Sequence, residues 1–416
     1  MALMTSPAPP RPHLVVLGSG FAGYSLVSHL PKELFRVTMV SPTNHFLFTP
    51  LLPSAAVGTV ELRSILEPVR RRRPWVDLLE ATAESLDLAA RRVECRSAVS
   101  GESFGAGFDR LLIAVGSAVA DYGVPGVAEH ALALKTATDA RALRHRVLLQ
   151  LASAEVPGLA AEEVARRLTF VVCGGGATGV EAAAELDDLL ATEMRRLHPV
   201  LAPHARVVLV EALERLLGGF DEALATYTRE HFGRSGIEVR TGVPVAAVEA
   251  GAVRLAGGET IPCGAVIWAG GNAPRPLVAG SGLELSRGRI VVDDRLRVPG
   301  HDGVWAAGDC AAGRETPLPA TAQVAQQQGK YLARAFRRER AGRPVPPFTG
   351  KSMGMLAYIG GGEALADLPH VRWSGRAAWL FWRSVYLTRL VSVANKVKVL
   401  SDWAKAALFG RDASRF

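Results

Sequence analysis

The chain has 416 residues, 49% hydrophobic and 21% charged, with a formal net charge of +8. This is longer than one ordinary domain of about 100 to 200 residues, so several modules and a large core are available. The four cysteines at 95, 173, 263 and 310 show no close pairing, so they suggest neither a disulfide framework nor a metal site, and no run approaches the roughly 18 apolar residues that span a bilayer.

From Met1 to Pro12 the chain is rich in proline and carries one basic residue. A strand is expected at once from His13, which leaves no room for a signal or transit peptide. The apolar run from His13 leads into Gly18-Ser-Gly-Phe-Ala-Gly23, a G-x-G-x-x-G turn at a strand-to-helix junction. Gly18 suits a tight turn, Gly20 a close backbone approach to a pyrophosphate, and Gly23 close helix–strand packing. A helix from Ala22 to His29 and a second strand from Phe35 to Val40 complete a βαβ opening. Leu62, Ile65, Leu66 and Val69 describe a helix that ends before Pro74, where Arg70 to Arg73 would complement its negative end. An anionic partner is the alternative for that cluster. No nucleic-acid motif accompanies it.

Val93 to Ala98 and Phe104 to Phe108 read as an antiparallel insertion, and Leu111 to Ser117 as a strand with a small-residue turn at Gly116. After a helix from Asp139 to Leu151 the pattern restarts. Phe170-Val-Val-Cys leads into Gly174-Gly-Gly-Ala-Thr-Gly179, with Gly174, Gly176 and Gly179 in the same three roles, so the chain is expected to bind two dinucleotides. Its second strand, Arg206 to Val210, ends at Glu211, whose carboxylate would accept bonds from a ribose and repel a 2'-phosphate, favouring NADH. Ser41, at the equivalent point of the first module, discriminates less and suits a resident FAD. The second module closes at Ala265 to Gly271. A late strand, Gly303 to Asp309, belongs best to the first module and makes it discontinuous. Asp309 offers a carboxylate to a ribityl chain. The helix from Thr321 to Glu339, opening at Ala322, aims amides at a flavin and presents Gln323 and Gln327 on one face.

The fold class is therefore α/β, with two Rossmann-type domains and a C-terminal segment. Expected bounds are 11–135 with 285–343 for FAD, 136–284 for NADH, and 344–416 for the tail. No Cys-x4-Cys follows the first turn, which removes the dithiol of a disulfide reductase, and Cys310 reads as a packed residue. In the tail, Trp379, Trp382, Tyr386 and Trp403 crowd together. Val393, Val397, Leu400, Ala404, Ala407 and Leu408 share a helical face, and Lys398, Asp402 and Lys405 lie opposite. Lys396, Lys398, Lys405, Arg411 and Arg415 outnumber Asp402 and Asp412. Such a helix fits a membrane interface, the protein interior or a dimer partner.

Ser41-Pro-Thr-Asn-His-Phe-Leu-Phe-Thr-Pro-Leu-Leu-Pro-Ser54, Gly174 to Glu181, Ala306-Ala-Gly-Asp-Cys310, Ala322 to Gly329, Asn395 to Trp403 and Phe409 to Phe416 together resemble the type II, or alternative, NADH:quinone dehydrogenases. The resemblance covers nearly the whole chain. It implies noncovalent FAD, exchanging NADH, a quinone acceptor, no proton pumping, and peripheral attachment to an anionic membrane through the C-terminal helices. By the same resemblance Gln323 and Gln327 line the quinone site, and Glu181 lies near nicotinamide and flavin, where it is a candidate to relay quinol protons. The expected location is the cytoplasmic face of the plasma membrane, or the matrix-type face in an organelle, with a homodimer as a further expectation. Family members often carry Trp-Arg where this chain has Val393-Ala394, and the calcium-binding insertion of some relatives has no counterpart. The rival is a sulfide:quinone oxidoreductase, which needs redox cysteines where only Cys310 stands. A flavin-bearing signalling protein is a rival from another class.

Overall fold

The computed structural model describes residues 11–314 and 318–414. Met1 to Pro10, and the Arg415 and Phe416 of the tail pattern, lie outside them. The chain divides into two units: one through Phe46, Glu67–Ala118 and Ala273–Ser352, and one of Leu47–Leu66, Val119–Asn272 and everything from Met353.

In the first unit a seven-stranded sheet runs in the order Val304–Ala306, Arg110–Ile113, His13–Leu17, Arg36–Ser41, Asp77–Asp87, Arg92–Ser97, Ser103–Gly107. The first five strands pair in parallel and the last two add an antiparallel meander. Leu14 to Leu17 are fully buried, as expected of a strand covered on both faces. Val304–Ala306 closes the sheet beside Arg110–Ile113, so the module is discontinuous, as its sequence order implied. The helix Phe21–His29 packs on the helix Ala322–Arg340. Gly329 makes that approach possible, because a Cβ there would strike the Ala22 carbonyl.

The helix expected from Leu62 through Val69 does not form. Leu62–Ser64 is a single 3-10 turn, Leu66–Pro68 is extended, and only Val69–Arg72 is helical. Pro68 supplies no N–H and pushes Glu67 out of the helical region, which overrides the apolar spacing. Arg73 instead donates to the carbonyls of Val27 and Ser28 at 3.2 and 2.5 Å, and Arg70 to that of Leu78 at 2.8 Å. Arg73 thus complements the C-terminal turn of Phe21–His29, a different helix from the one expected, while Arg70 to Arg72 lie in the short helical turn Val69–Arg72.

In the second unit five parallel strands run Ala131–Ala133, Ala265–Trp268, Thr169–Cys173, Arg206–Val210, Glu238–Arg240. Helix Ala177–Leu189 follows the second glycine turn and passes into a π-helical turn, Leu190–Met194. The tail, expected as a segment of its own from residue 344, joins this unit from Met353. It forms the antiparallel strands Met355–Gly360, Glu363–Asp367 and Arg372–Gly375, then helices Arg376–Arg389 and Val393–Phe409. Strand Met355–Gly360 lies on Ala177–Leu189, with Gly360 against Ala184.

The last helix buries Asn395, Val399, Asp402 and Trp403. Asp402, expected on the cationic back, is turned inward and accepts from the Glu61 amide at 3.1 Å. Asn395 donates to the Ser64 and Leu66 carbonyls at 2.7 and 2.9 Å. The apolar stripe faces outward: Val393 is 73% and Leu408 76% exposed. Among the described residues no helix is long and apolar enough to cross a membrane.

Candidate functional site

The two glycine turns share one physical design. Gly18 and Gly174 adopt φ of +102° and +112°, and a Cβ on Gly174 would come within 2.5 Å of the Ala269 carbonyl. On Gly18 it would strike the Ala114 carbonyl, and on Gly23 or Gly179 the carbonyl of the turn's own first glycine. Gly20 and Gly176 differ. Nothing lies within 4 Å of where their Cβ would be, so the protein's own packing does not require glycine there. Each is the N-cap of its helix with no side-chain cap, which leaves helix N-terminal amides open toward that space. Open space of this kind at the positive end of a helix fits a pyrophosphate.

Around the first turn Ser41 is buried, and its hydroxyl lies 2.9 Å from that of Ser19, which also donates to the His45 carbonyl at 2.9 Å. Gly116 is left-handed with open space beside it. The neighbouring Ser117 hydroxyl donates to Asp309 at 3.0 Å, fixing one carboxylate oxygen and leaving the other for a ligand hydroxyl. Buried Gln328 accepts from the Gly308 amide at 2.7 Å and so orients the Gly308–Asp309 turn. Sequence reasoning passed over Gln328. The signal available was its place at i+5 from Gln323, off the face that Gln323 and Gln327 share. Ala322 opens its helix, where Thr321 caps the Val324 amide at 3.4 Å. The Gln327 amide is engaged at both ends: its nitrogen donates to the Lys351 carbonyl at 2.9 Å and its oxygen accepts from the Lys351 amide at 3.0 Å. Gln323 is half-buried one turn earlier, and its carbonyl accepts from Gln327 at 3.2 Å.

Around the second turn Glu211 stands at the end of Arg206–Val210. One of its oxygens accepts from the Gly175 amide and the other from the Leu213 amide at 2.7 Å. The carboxylate therefore holds the glycine turn, and each oxygen retains a lone pair for a ribose. Gly271 has φ of +119°, with the Tyr122 hydroxyl beside it.

Glu181 is on helix Ala177–Leu189, 7% exposed, and accepts from the Tyr358 amide at 3.1 Å. Burial pushes its carboxyl up to about 8, opposed by that N–H and reinforced by the neighbouring Glu185. Glu185 is also buried and pushed upward, with Arg411 opposing. All four cysteines are buried and unpaired, and burial raises the Cys310 thiol to about 11, far from a reactive thiolate. The described residues contain no cluster suited to a metal.

This is the architecture of a pyridine-nucleotide oxidoreductase, and the description pyridine nucleotide-disulphide oxidoreductase matches residues 12–329. NDH2 C-terminal domain matches residues 353–412. A Dictyostelium discoideum protein named "Probable NADH dehydrogenase" is 40% identical, over 97% of this chain and 91% of its own. The "Internal alternative NAD(P)H-ubiquinone oxidoreductase A1, mitochondrial" of Solanum tuberosum is 36% identical, over 97% and 88%. The chain belongs to the type II NADH:quinone oxidoreductase family and is an enzyme of that family. The structure of NDH2 from Plasmodium falciparum in complex with NADH has the same fold, with a TM-score of 0.93, 24% identity, and coverage of 97% of this chain and 100% of that one. The sulfide:quinone oxidoreductase of Aquifex aeolicus shares the fold less closely, at a TM-score of 0.71, 19% identity and 96% of each chain. That rival is not favoured, since the family matches lie elsewhere and Cys310 stands without a partner thiol.

Proposed function

We propose that this enzyme oxidises NADH and reduces a membrane quinone through a noncovalently held FAD, without moving protons across the membrane. The balance is NADH + H⁺ + quinone → NAD⁺ + quinol. The observation that carries the reading is the last helix. It is fastened to its unit by Asn395 and Asp402 on one side and leaves Val393, Val397, Leu400 and Leu408 exposed on the other. A dinucleotide oxidoreductase with an outward apolar stripe is suited to collect an apolar acceptor at a bilayer surface.

The first unit is assigned FAD and the second NADH. When bound, the flavin would supply a centre that takes a hydride and gives up two electrons. The residues then have separate tasks. The amides at Gly20 hold one pyrophosphate and Asp309, set by Ser117 and Gln328, holds a sugar hydroxyl. The amides at Gly176 hold the NADH pyrophosphate, and Glu211 rejects a 2'-phosphate. Glu181, protonated near neutral pH, supplies a proton to the quinone oxygen. Gln323 and the backbone that Gln327 fixes around Lys351 line the acceptor's side. The tail rests on an anionic bilayer, on the cytoplasmic or matrix-type face. Steady-state turnover with NADH and NADPH against a panel of quinones tests the reading. NADH-specific reduction of lipophilic quinones supports it, and turnover with artificial dyes but no quinone contradicts it.

A further inference from the structure

A hydride brings two electrons and one hydrogen, whereas a quinone takes two of each, so one proton per turnover comes from water. Glu181, Glu185 and Asp188 lie on one face of helix Ala177–Leu189, at i, i+4 and i+7. Glu185 is held at both oxygens: the Ser54 hydroxyl donates to one at 2.5 Å and the Thr59 hydroxyl to the other at 2.8 Å. Tyr358 spans the row, its amide on Glu181 and its hydroxyl on Asp188. Arg411 reaches Glu185 at 3.6 Å and Asp188 at 3.8 Å. Arg383 is the second cation, stacked on Trp379 and Trp403 at 4.0 and 4.6 Å, where burial disfavours its charge. Glu193, on the π-helical turn, is occupied by Arg196 at 2.9 Å and by the Arg411 amide at 2.9 Å. Tyr386 and Trp382 face Glu181, and the Trp382 side chain opposes the upward push on its carboxyl.

Among the described residues, three largely buried carboxylates thus stand beside two guanidinium groups, Arg411 within ion-pair reach and Arg383 acting on Glu185 through space. Such a cluster is one positive charge short, and it lowers its energy by retaining a proton. A cavity of about 180 Å³ is lined by Ser54, Thr59, Glu185, Tyr358, Arg383 and Arg411, among others, and has room for several waters. Glu181 does not line it.

We propose that Glu181 and Glu185 share one proton and that Glu185 is the point where it is replenished from this cavity. The inference rests on the proposed quinone reduction. Glu181 gives the shared proton to the quinone oxygen, the Glu185 carboxylate then takes a proton from water in the cavity, and that proton passes to the Glu181 carboxylate one turn away, which restores the shared state. Glu185 acts through Glu181 and does not touch the acceptor. The competing role is a purely structural anchor for Arg411 and the 54–59 segment.

The holoenzyme decides between them by rapid mixing of NADH-reduced protein with a short-chain quinone across a pH series, together with infrared difference spectra of protonated carboxyls on reduction. Glu185→Gln is expected to slow quinol formation at least about tenfold and to remove one carboxyl signal, and Glu185→Asp to restore most of the rate. Ser54→Ala removes a donor that favours the ionised form, so its pH midpoint should rise by about one unit with the low-pH rate retained. A wild-type rate and pH profile in Glu185→Gln overturns the proposal. So does Glu185→Asp as slow as the glutamine variant with an unshifted profile. Should Glu185→Gln fail to fold, an unshifted profile in Ser54→Ala overturns it alone. Wild-type protein that NADH does not reduce defeats the redox reading instead.

Discussion

Replacing Glu181 by glutamine should make the enzyme's stability less sensitive to rising pH. The folded carboxyl titrates at about 8, against an ordinary value of 4.5. Between those limits the folded protein keeps a proton that the unfolded chain releases, so stability is fully present below the lower value and is lost as pH climbs to the upper one. The gap of about 3.5 units corresponds to roughly 5 kcal/mol at about 1.4 kcal/mol per unit, an upper bound that relaxation and water reduce to about 2–4 kcal/mol. A glutamine does not titrate, and its carbonyl oxygen can still accept from the Tyr358 amide now 3.1 Å from Glu181. Urea unfolding of both proteins at fixed FAD, between about pH 5 and about pH 8, should show Glu181→Gln gaining about 2–4 kcal/mol on the wild type across the range. A difference that stays constant within about 0.5 kcal/mol would refute the reasoning and place the carboxyl in a hydrated setting.

Four further outcomes follow from the geometry. Val397→Glu with Leu400→Glu, at positions 59% and 49% exposed, should leave the melting temperature within a few degrees and abolish sedimentation with anionic liposomes; retained binding, or a dimer that the pair dissociates, would put another occupant on that stripe. Glu211→Gln should cut the NADH-over-NADPH preference about tenfold, and an unchanged ratio would reduce Glu211 to the anchor of Gly175 and Leu213. Gly176→Ala meets no protein atom, so it should fold normally and raise the NADH KM about tenfold or more. Gly174→Ala, aimed at the Ala269 carbonyl from a left-handed backbone, should instead lower soluble yield.

The glycine turns were legible because their requirement is local: a positive φ and a carbonyl within a few residues or one neighbouring strand. Strand Arg206–Val210 was legible for the same reason, since an unbroken apolar run declares a strand buried on both faces. Residues 62–69 were misread because their apolar spacing satisfies a helix, while Pro68 vetoes it through the backbone. Glu185 could not be recognised, because its donors Ser54 and Thr59 arrive from about 130 residues earlier and Arg411 from the far end of the chain. Asp402 shows the opposite failure. Its charge suggested the solvent face, yet one backbone amide at Glu61 is enough to turn it inward. Gln328 was hidden by its neighbours, since a run of three glutamines does not say which of them is buried.

The most direct test of the account is anaerobic stopped-flow mixing in two steps. NADH should bleach the flavin absorbance of the purified enzyme within the time of one turnover, and a short-chain quinone should then restore it with stoichiometric quinol. Bleaching that quinone cannot reverse would contradict the account.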